Sequence, residues 1–368
     1  MLASLRGDDA GSLDRADAAI RAMVMRGIER DLDLARAFPF GKGDASSPYV
    51  LSHRHGAYLD LASSSDPAAL AHRLDAETDR LRADAARGVA PPLFMIDRIL
   101  DAERKARVAS GLRPALARQV AALEALRGGA AVAPGVWRLR GGAEYYALRL
   151  RCATGSGLSP AAFDALVLGE TRTLLARADG LFRRLGLAQG SIGARYRALK
   201  RRPADIYSDD DAGRDRAVAD MNRALDRVRP RLATWFDPPL ELGSRVRRMS
   251  EAEAQAGKRG YRDAPADGRP GTYFPDLGSV RERPRWTLVT VAHHETIPGH
   301  LLQLRRQALA DPHPLQLRYA AGYSEGWAIY AETLVDRIGL LSMVEQLGFI
   351  QSVLFRLARA TADIGIHH

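Results

Sequence analysis

The chain has 368 residues, of which 46% are hydrophobic and 27% are charged, and both values are ordinary for a globular protein. Its formal net charge is +10, but the arginines are scattered through Ala- and Leu-rich segments among acidic residues, so we expect no nucleic-acid partner. The single cysteine, Cys152, excludes an intrachain disulfide and a cysteine-rich metal site, and the sequence has no apolar run long enough to span a membrane.

Most of the chain carries apolar residues at helical spacing, which predicts a mainly α-helical fold. Residues 144–150 fit either a strand or a helix, and residues 240–249 alternate as a half-buried strand does. Gly, Pro and Asp are frequent in 257–276, which predicts a loop with one short strand at 271–274. The predicted helices cover 14–37, 67–88, 92–126, 160–186, 213–234, 284–310 and 318–363.

The sequence shows no sharp domain boundary. We predict a single mostly helical domain over 1–368, with a weak sub-boundary at the Gly- and Pro-rich residues 128–143. The first 21 residues lack the continuous apolar core of a secretory signal. The sequence as written therefore predicts a cytoplasmic protein, or a periplasmic or exported one if a signal is missing upstream.

Two histidines frame a Pro-Gly pair in the segment HETIPGH at 294–300. Imidazoles and carboxylates are the ligands that zinc prefers when thiolates are absent. On a straight helix His294 and His300 would lie roughly 120° apart, because six residues turn a helix by about 600°. Pro298 and Gly299 can break or widen the helix, which would let both imidazoles face one centre. The alternative is that both histidines are merely polar residues near an ordinary helix end.

Two carboxylates favour the metal interpretation. Glu295 lies beside His294, where the general base of a metallohydrolase belongs. Glu325 lies near the start of a later helix, between two small residues, and could supply a third ligand while leaving a fourth position for water. The sequence therefore predicts a Zn²⁺ centre of His294, His300 and Glu325, with Glu295 as the base.

The HETIPGH segment and the later run SEGWAIYAE at 324–332 together resemble the signature of the DUF885 proteins. These are similar to zinc metallopeptidases of the large helical, gluzincin-like group. The resemblance also takes in GAEYY at 142–146 and RATADIGIH at 359–367, and it covers the chain from about residue 130 to the end. One departure is Leu301, where the family commonly has a second histidine.

The resemblance implies a large helical metallopeptidase scaffold with a deep cleft and a small β element beside it. It also implies that His294, His300 and Glu325 bind Zn²⁺ and that Glu295 activates water to cleave a peptide or a small related amide substrate. The chain stops at His368, whereas family members usually continue with further helices. The alternative is therefore a catalytically inactive helical binding protein that retains the family fold. The sequence does not specify the oligomeric state.

Two further residues are candidates for stabilising the oxyanion of a tetrahedral intermediate. Tyr330 could donate its hydroxyl, and the alternative is that it packs in the core with the hydroxyl satisfied elsewhere. His367 could donate an imidazole N–H near the metal, although a terminal histidine is more often disordered. We expect His293 to point away from the metal and Trp327 to lie in the core.

Three residues are candidates for binding the substrate. Arg356 and Arg359 lie on one predicted helix, and a guanidinium there could hold a substrate carboxylate. The alternative for Arg359 is an ion pair with Asp363, four residues later on the same helix. Tyr273, on the short predicted strand beside the cleft, could help to hold an extended peptide by pairing at the strand edge.

Overall fold

The computed structural model describes residues 13–41, 47–236, 243–266, 269–320 and 322–368. The chain divides into two compact units, the first containing Met1–Ala162 and Ala362–His368 and the second containing Phe163–Thr361. The predicted sub-boundary at 128–143 lies inside the first unit. The mainly α-helical fold is confirmed.

The first unit is built from packed helices. Helix α2 (Pro67–Ala86) packs against α4 (Arg113–Arg127), as does α3 (Leu93–Lys105), and α1 (Arg15–Ala37) packs against α5 (Gly142–Thr154). The predicted helix at 92–126 is two helices, because extended residues follow Lys105 and a new helix begins with Pro114 in its first turn. Residues 144–150, which fitted either structure, are helical. The helices are α1 Arg15–Ala37, α2 Pro67–Ala86, α3 Leu93–Lys105, α4 Arg113–Arg127 and α5 Gly142–Thr154.

The second unit holds a large apolar core. Helix α10 (Arg285–Glu295) packs against α8 (Asp211–Trp235) and α13 (Tyr323–Arg337), and Trp286, Leu288 and Ala292 of α10 are buried in this core. The helices are α6 Pro160–Arg184, α7 Ile192–Lys200, α8 Asp211–Trp235, α9 Glu251–Gln255, α10 Arg285–Glu295, α11 His300–Ala310, α12 Pro314–Tyr319, α13 Tyr323–Arg337 and α14 Met343–His367. Helix α6 begins in the first unit, and α14 ends there.

A small sheet of three strands precedes α10, as predicted. The strands are β1 Arg245–Val246, β2 Tyr261–Asp263 and β3 Thr272–Phe274. Strand β3 is central, with β1 parallel on one side and β2 antiparallel on the other. Of the predicted strand at 240–249 only β1 forms, and 240–242 lie outside the described residues. Strand β2 lies in the segment that the sequence predicted as loop.

Two predicted long helices are interrupted. The first, 284–310, breaks between Glu295 and His300, where the sequence placed its Pro-Gly distortion. The second, 318–363, divides into α13 and α14, and Gly339 between them has a φ of +76°, which favours glycine. Among the described residues, no helix is both long enough and apolar enough to cross a membrane.

Candidate metal centre

The junction of α10 and α11 turns the chain within four residues. The peptide bond between Ile297 and Pro298 is cis. The amide of Gly299 donates to the carbonyl of His293 at 3.1 Å, and the amide of Leu301 donates to the carbonyl of Thr296 at 3.0 Å. A Cβ on Gly299 would lie 2.1 Å from the carbonyl oxygen of His294, so the close approach requires glycine.

This turn brings the three predicted ligands together. One ligand atom from each of His294, His300 and Glu325 lies within 4.8 Å of the others. The carboxylate oxygens of Glu325 lie 3.4 Å from Nε2 of His294 and 3.5 Å from Nε2 of His300. Donor atoms around a tetrahedral zinc ion are separated by roughly 3.3 Å, given metal–ligand bonds of about 2 Å. The two distances from Glu325 are therefore close to those of a zinc site.

The far side of the His294 ring is held by a buried carboxylate. Nδ1 of His294 lies 2.7 Å from Oε1 of Glu332, whose side chain is 1% exposed. Nη2 of Arg356 donates to the same oxygen at 3.1 Å. A proton on Nδ1 that points to the carboxylate leaves the lone pair of Nε2 directed into the cluster. Glu332 thus fixes the tautomer that a metal ligand needs.

The His300 ring is supported by an amide. Its Nδ1 lies 3.2 Å from Oε1 of Gln303, and the hydroxyl of Ser324 donates to that same oxygen at 3.1 Å. Nε2 of His300 is buried and has no hydrogen-bond partner within the described part of the chain. Burial lowers the pKa of His300 below its usual value, which favours the neutral imidazole that binds cations. The orphaned nitrogen faces the cluster and fits a metal ion.

Trp327 of α13 also holds the junction between α10 and α11 in place. The indole N–H of Trp327 lies 3.0 Å from the carbonyl oxygen of Pro298 and 3.2 Å from that of Gly299. Trp327 is partly buried and packs against the core, as expected, but its polar end also anchors the turn. His293 points away from the cluster, and its Nδ1 lies 3.1 Å from the carbonyl oxygen of Ile297. Burial lowers the pKa of His293 to about 4.

The predicted base, Glu295, forms an ion pair with Arg262 of β2. Both side chains are partly exposed, Glu295 at 21% and Arg262 at 32%. Glu325 is much more open, at 70%, whereas His300 is only 2% exposed. The cluster therefore has a buried floor of imidazoles and a carboxylate rim that faces solvent.

The charges around the cluster favour a cation. Glu295, Glu325 and Glu332 contribute three carboxylates, and Arg262 and Arg356 contribute two guanidinium groups. With neutral imidazoles, the local charge is one negative unit, and a divalent cation would reverse its sign. Oxygen and nitrogen donors of this kind suit zinc. The residues present therefore fit a zinc ion.

The peptide-pairing role predicted for Tyr273 is wrong. Tyr273 lies on the central strand, paired with Val246 of β1 and Arg262 of β2, so both of its edges are occupied. It cannot hold a peptide by edge pairing. Its side chain is buried, and burial, followed by the charge of Glu295, raises its pKa above the usual value.

The two predicted substrate-binding arginines differ in their contacts. Arg356 donates to Glu332 and its Nη2 lies 3.1 Å from Nδ1 of His294, so with the proton on Nδ1 it supports the imidazole through Glu332 rather than directly. Arg359 is exposed, and its guanidinium lies 6.0 Å from the centre of the Phe355 ring. Its binding of a substrate stays a prediction. Asp363, the alternative partner of Arg359, accepts a hydrogen bond from the hydroxyl of Tyr146 at 2.8 Å.

The two predicted oxyanion residues lie in different units. Tyr330 is exposed on α13, and its ring centre lies 6.0 Å from that of Trp327, so it does not pack in the core. His367 belongs to the first unit, where its Nδ1 accepts a hydrogen bond from the amide of Val136 at 3.2 Å. Its ring also stacks on Tyr146, with 5.8 Å between ring centres. The oxyanion role of both residues stays a prediction.

Sequence reasoning missed the supporting residues. Glu332 lies seven positions after Glu325, nearly two helical turns, and this spacing could have placed it on the same face. Gln303 similarly follows His300 by three positions on one helix. Arg262 had no such signal, because its strand lies in a Gly-rich segment that resembles loop.

Comparisons with known proteins agree with the fold. The family model described as "Bacterial protein of unknown function (DUF885)" matches residues 98–368. The chain is similar to a solved structure described as "putative lipoprotein from Colwellia psychrerythraea", at 22% identity and a TM-score of 0.75. That match covers 100% of this chain and 73% of the other. No curated protein matches the chain. Since the family model covers most of its length, the chain belongs to the DUF885 family.

Proposed function

We propose that the chain is a zinc-dependent hydrolase that cleaves peptide or related amide bonds. The observation that carries the proposal is the cluster of His294, His300 and Glu325, with ligand atoms within 4.8 Å of one another and an orphaned Nε2 on His300. A zinc ion held there would supply a Lewis acid that polarises a carbonyl and lowers the pKa of water.

The residues of the chain supply the remaining steps. Glu295 accepts the proton of the attacking water and passes it to the leaving amine. Glu332 and Arg356 keep the His294 ring fixed while this happens, and Gln303 does the same for His300. The open rim at Glu325 lets a small peptide approach, because that side chain is 70% exposed.

The test combines metal content with cleavage. Purified chain is incubated with zinc, freed of excess metal, and measured by elemental analysis, and its cleavage of a peptide library is followed by mass spectrometry. We expect one zinc per chain, with cleavage. Glu295→Gln should keep the zinc and lose cleavage, whereas His294→Ala should lose both.

A matched control is His72→Ala, which removes an exposed histidine of the first unit. It should change neither zinc content nor cleavage. A folded wild-type chain that binds no zinc would contradict the proposal. One that binds zinc but cleaves no peptide in the library would favour the inactive binding protein instead.

The compartment of the chain is a separate question. The solved neighbour is described as a lipoprotein, and a fold shared at 22% identity does not carry that property over. A cytoplasmic location, or a periplasmic or exported one if a signal is missing upstream, stays a prediction.

A further inference from the structure

The ion pair between Arg262 and Glu295 restrains the proposed base. Arg262 projects from β2, and within the described residues Glu295 is its only acceptor. This contact shows that the guanidinium is placed to bind a carboxylate at this position, and that Glu295 now occupies part of it.

Arg262 is suited to binding a further anion. A guanidinium carries five N–H donors in a planar fork, and Glu295 engages only Nη1 of Arg262. The side chain of Arg262 is 32% exposed, so an incoming group can contact it. Its remaining donors can therefore bind an anion that arrives from solvent beside Glu295, the residue that follows His294 in the chain.

The other arginine near the cluster is less available. Arg356 contacts Glu332, which is 1% exposed, and lies against His294. Both of its terminal nitrogens are engaged, Nη1 with the hydroxyl of Ser352 and Nη2 with Glu332, so a substrate carboxylate would have to displace one of these partners. A buried Glu332 without its cation would be costly. The substrate-carboxylate role that the sequence assigned to Arg356 therefore suits Arg262 better.

We propose that Arg262, whose Nη1 already contacts the carboxylate of Glu295, binds a carboxylate of the substrate with its other donors. The proposal rests on the proposed function, since it names the substrate class of the same site: peptides that present a carboxylate next to the cleaved bond. That carboxylate could be the C-terminus or an acidic side chain, and both offer the same two oxygens to the guanidinium fork.

The first test measures binding without cleavage. Chelator-treated, metal-free protein is titrated with dansyl-Ala-Ala-Ala, with its C-terminal amide, and with the amide of dansyl-Ala-Ala-Glu, and affinity is followed by dansyl fluorescence. The amide of dansyl-Ala-Ala-Ala is the uncharged reference. We expect at least one anionic probe to bind about tenfold or more tightly than this reference, because a charge-assisted pair is added. The anionic probe that binds more tightly shows whether Arg262 recognises the C-terminal carboxylate or an acidic side chain.

Variants assign the effect to Arg262. Arg262→Gln should abolish the preference, and Arg262→Lys should restore part of it. Glu295→Gln should increase the affinity for the anionic probe, because the carboxylate that competes for Arg262 has been removed. Arg245→Gln is the matched control, since Arg245 is an exposed arginine of β1 and pairs with Thr272 rather than Tyr273. Its register places it on the opposite face of the sheet from Arg262, so the preference should be unchanged.

Equal binding of all three probes by the wild-type chain, or a preference that survives in Arg262→Gln, would overturn the inference. The proposed function fails in a different way. If the anionic probe binds through Arg262 but the zinc-loaded chain cleaves no peptide, the proposed anion binding is supported and the proposed hydrolase function is refuted. If the chain cleaves peptides that carry either carboxylate and their uncharged counterparts with equal kcat and KM, the hydrolase proposal is supported and the proposed role of Arg262 is refuted.

Discussion

Two regions of the second unit bring pairs of side chains to one centre by opposite means. At the α10–α11 junction His294 and His300 are six residues apart, and the helix between them is interrupted. On α13 Glu325 and Glu332 are seven residues apart, and the helix is continuous. Seven residues turn a helix by about 700°, close to two full turns, whereas six turn it by about 600°. The spacing decides whether the backbone has to break.

The two carboxylates of α13 also differ in their exposure. Glu325 is 70% exposed and lies against Nε2 of both imidazoles. Glu332 is 1% exposed and contacts His294 and Arg356. A buried carboxylate is tolerated only with such partners. The exposed one can serve as a ligand at an open rim, and the buried one orients a ligand from behind.

The interrupted and the continuous helix should differ most in their response to a substitution of glycine. Gly299→Ala places a Cβ 2.1 Å from the carbonyl oxygen of His294, so the junction must move. We expect a loss of about 3 kcal/mol or more in the free energy of unfolding, measured by urea denaturation, together with weaker zinc binding. On the continuous helix, Gly326→Ala meets no atom within 4 Å and should stabilise by about 0.5–1 kcal/mol. Equal effects at the two glycines would contradict the contrast.

Replacing each carboxylate of α13 by the corresponding amide separates the roles of Glu325 and Glu332. Glu332→Gln should weaken zinc binding by about 10- to 100-fold and cost about 2 kcal/mol of stability, since Arg356 loses its buried partner. Glu325→Gln should also weaken zinc binding but change the free energy of unfolding by less than about 0.5 kcal/mol, because its side chain is exposed. Zinc affinity by competition with a chelator and denaturant unfolding check both. A similar loss of stability in the two variants would refute the distinction.

Glu103 is a buried carboxyl that lacks, in the part of the chain that the structure describes, the partners Glu332 has, so the two acids can be compared directly. In the first unit both oxygens of Glu103 lack partners among the described residues, and burial raises its pKa to about 8. The folded chain therefore keeps a proton that the unfolded chain releases. The contribution of Glu103 to the free energy of unfolding should be highest below the usual pKa of 4.5 and fall toward pH 8. The fall should be about 1.4 kcal/mol per pH unit at most.

Glu103→Met should remove this dependence and leave the chain more stable than wild type near pH 8. Thermal unfolding at pH 5, 6, 7 and 8 measures it. A wild-type profile that is no steeper than that of the variant would show that Glu103 is solvated or paired.

The smallest expected effect concerns the anchor of the junction. Trp327→Phe keeps an aromatic ring but removes the N–H that bonds to the carbonyls of Pro298 and Gly299. We expect a loss of about 1 kcal/mol, measured by denaturant unfolding. Trp137→Phe, at an exposed tryptophan of the first unit, is the control and should be close to neutral. An unchanged stability in Trp327→Phe would mean that packing alone holds the turn.

The helical fold and the clustering of His294, His300 and Glu325 are accessible from sequence for physical reasons. Apolar periodicity marks long helices well, and a six-residue spacing of histidines around Pro298 and Gly299 implies a break in the helix. The supporting residues are harder to predict, because Arg262 lies on a three-residue strand whose pairing is set by tertiary contacts. Tyr273 was misassigned for a related reason: a lone strand pattern does not show how many neighbours the strand has.

The most direct test of the account is the position of the metal itself. Crystals of the zinc-loaded chain are measured above and below the zinc absorption edge, and the anomalous difference map locates the ion. The account predicts one peak per chain within bonding distance of Nε2 of His294, Nε2 of His300 and a carboxylate oxygen of Glu325. A map with no peak between these three side chains, or with its peak on other residues, would contradict it.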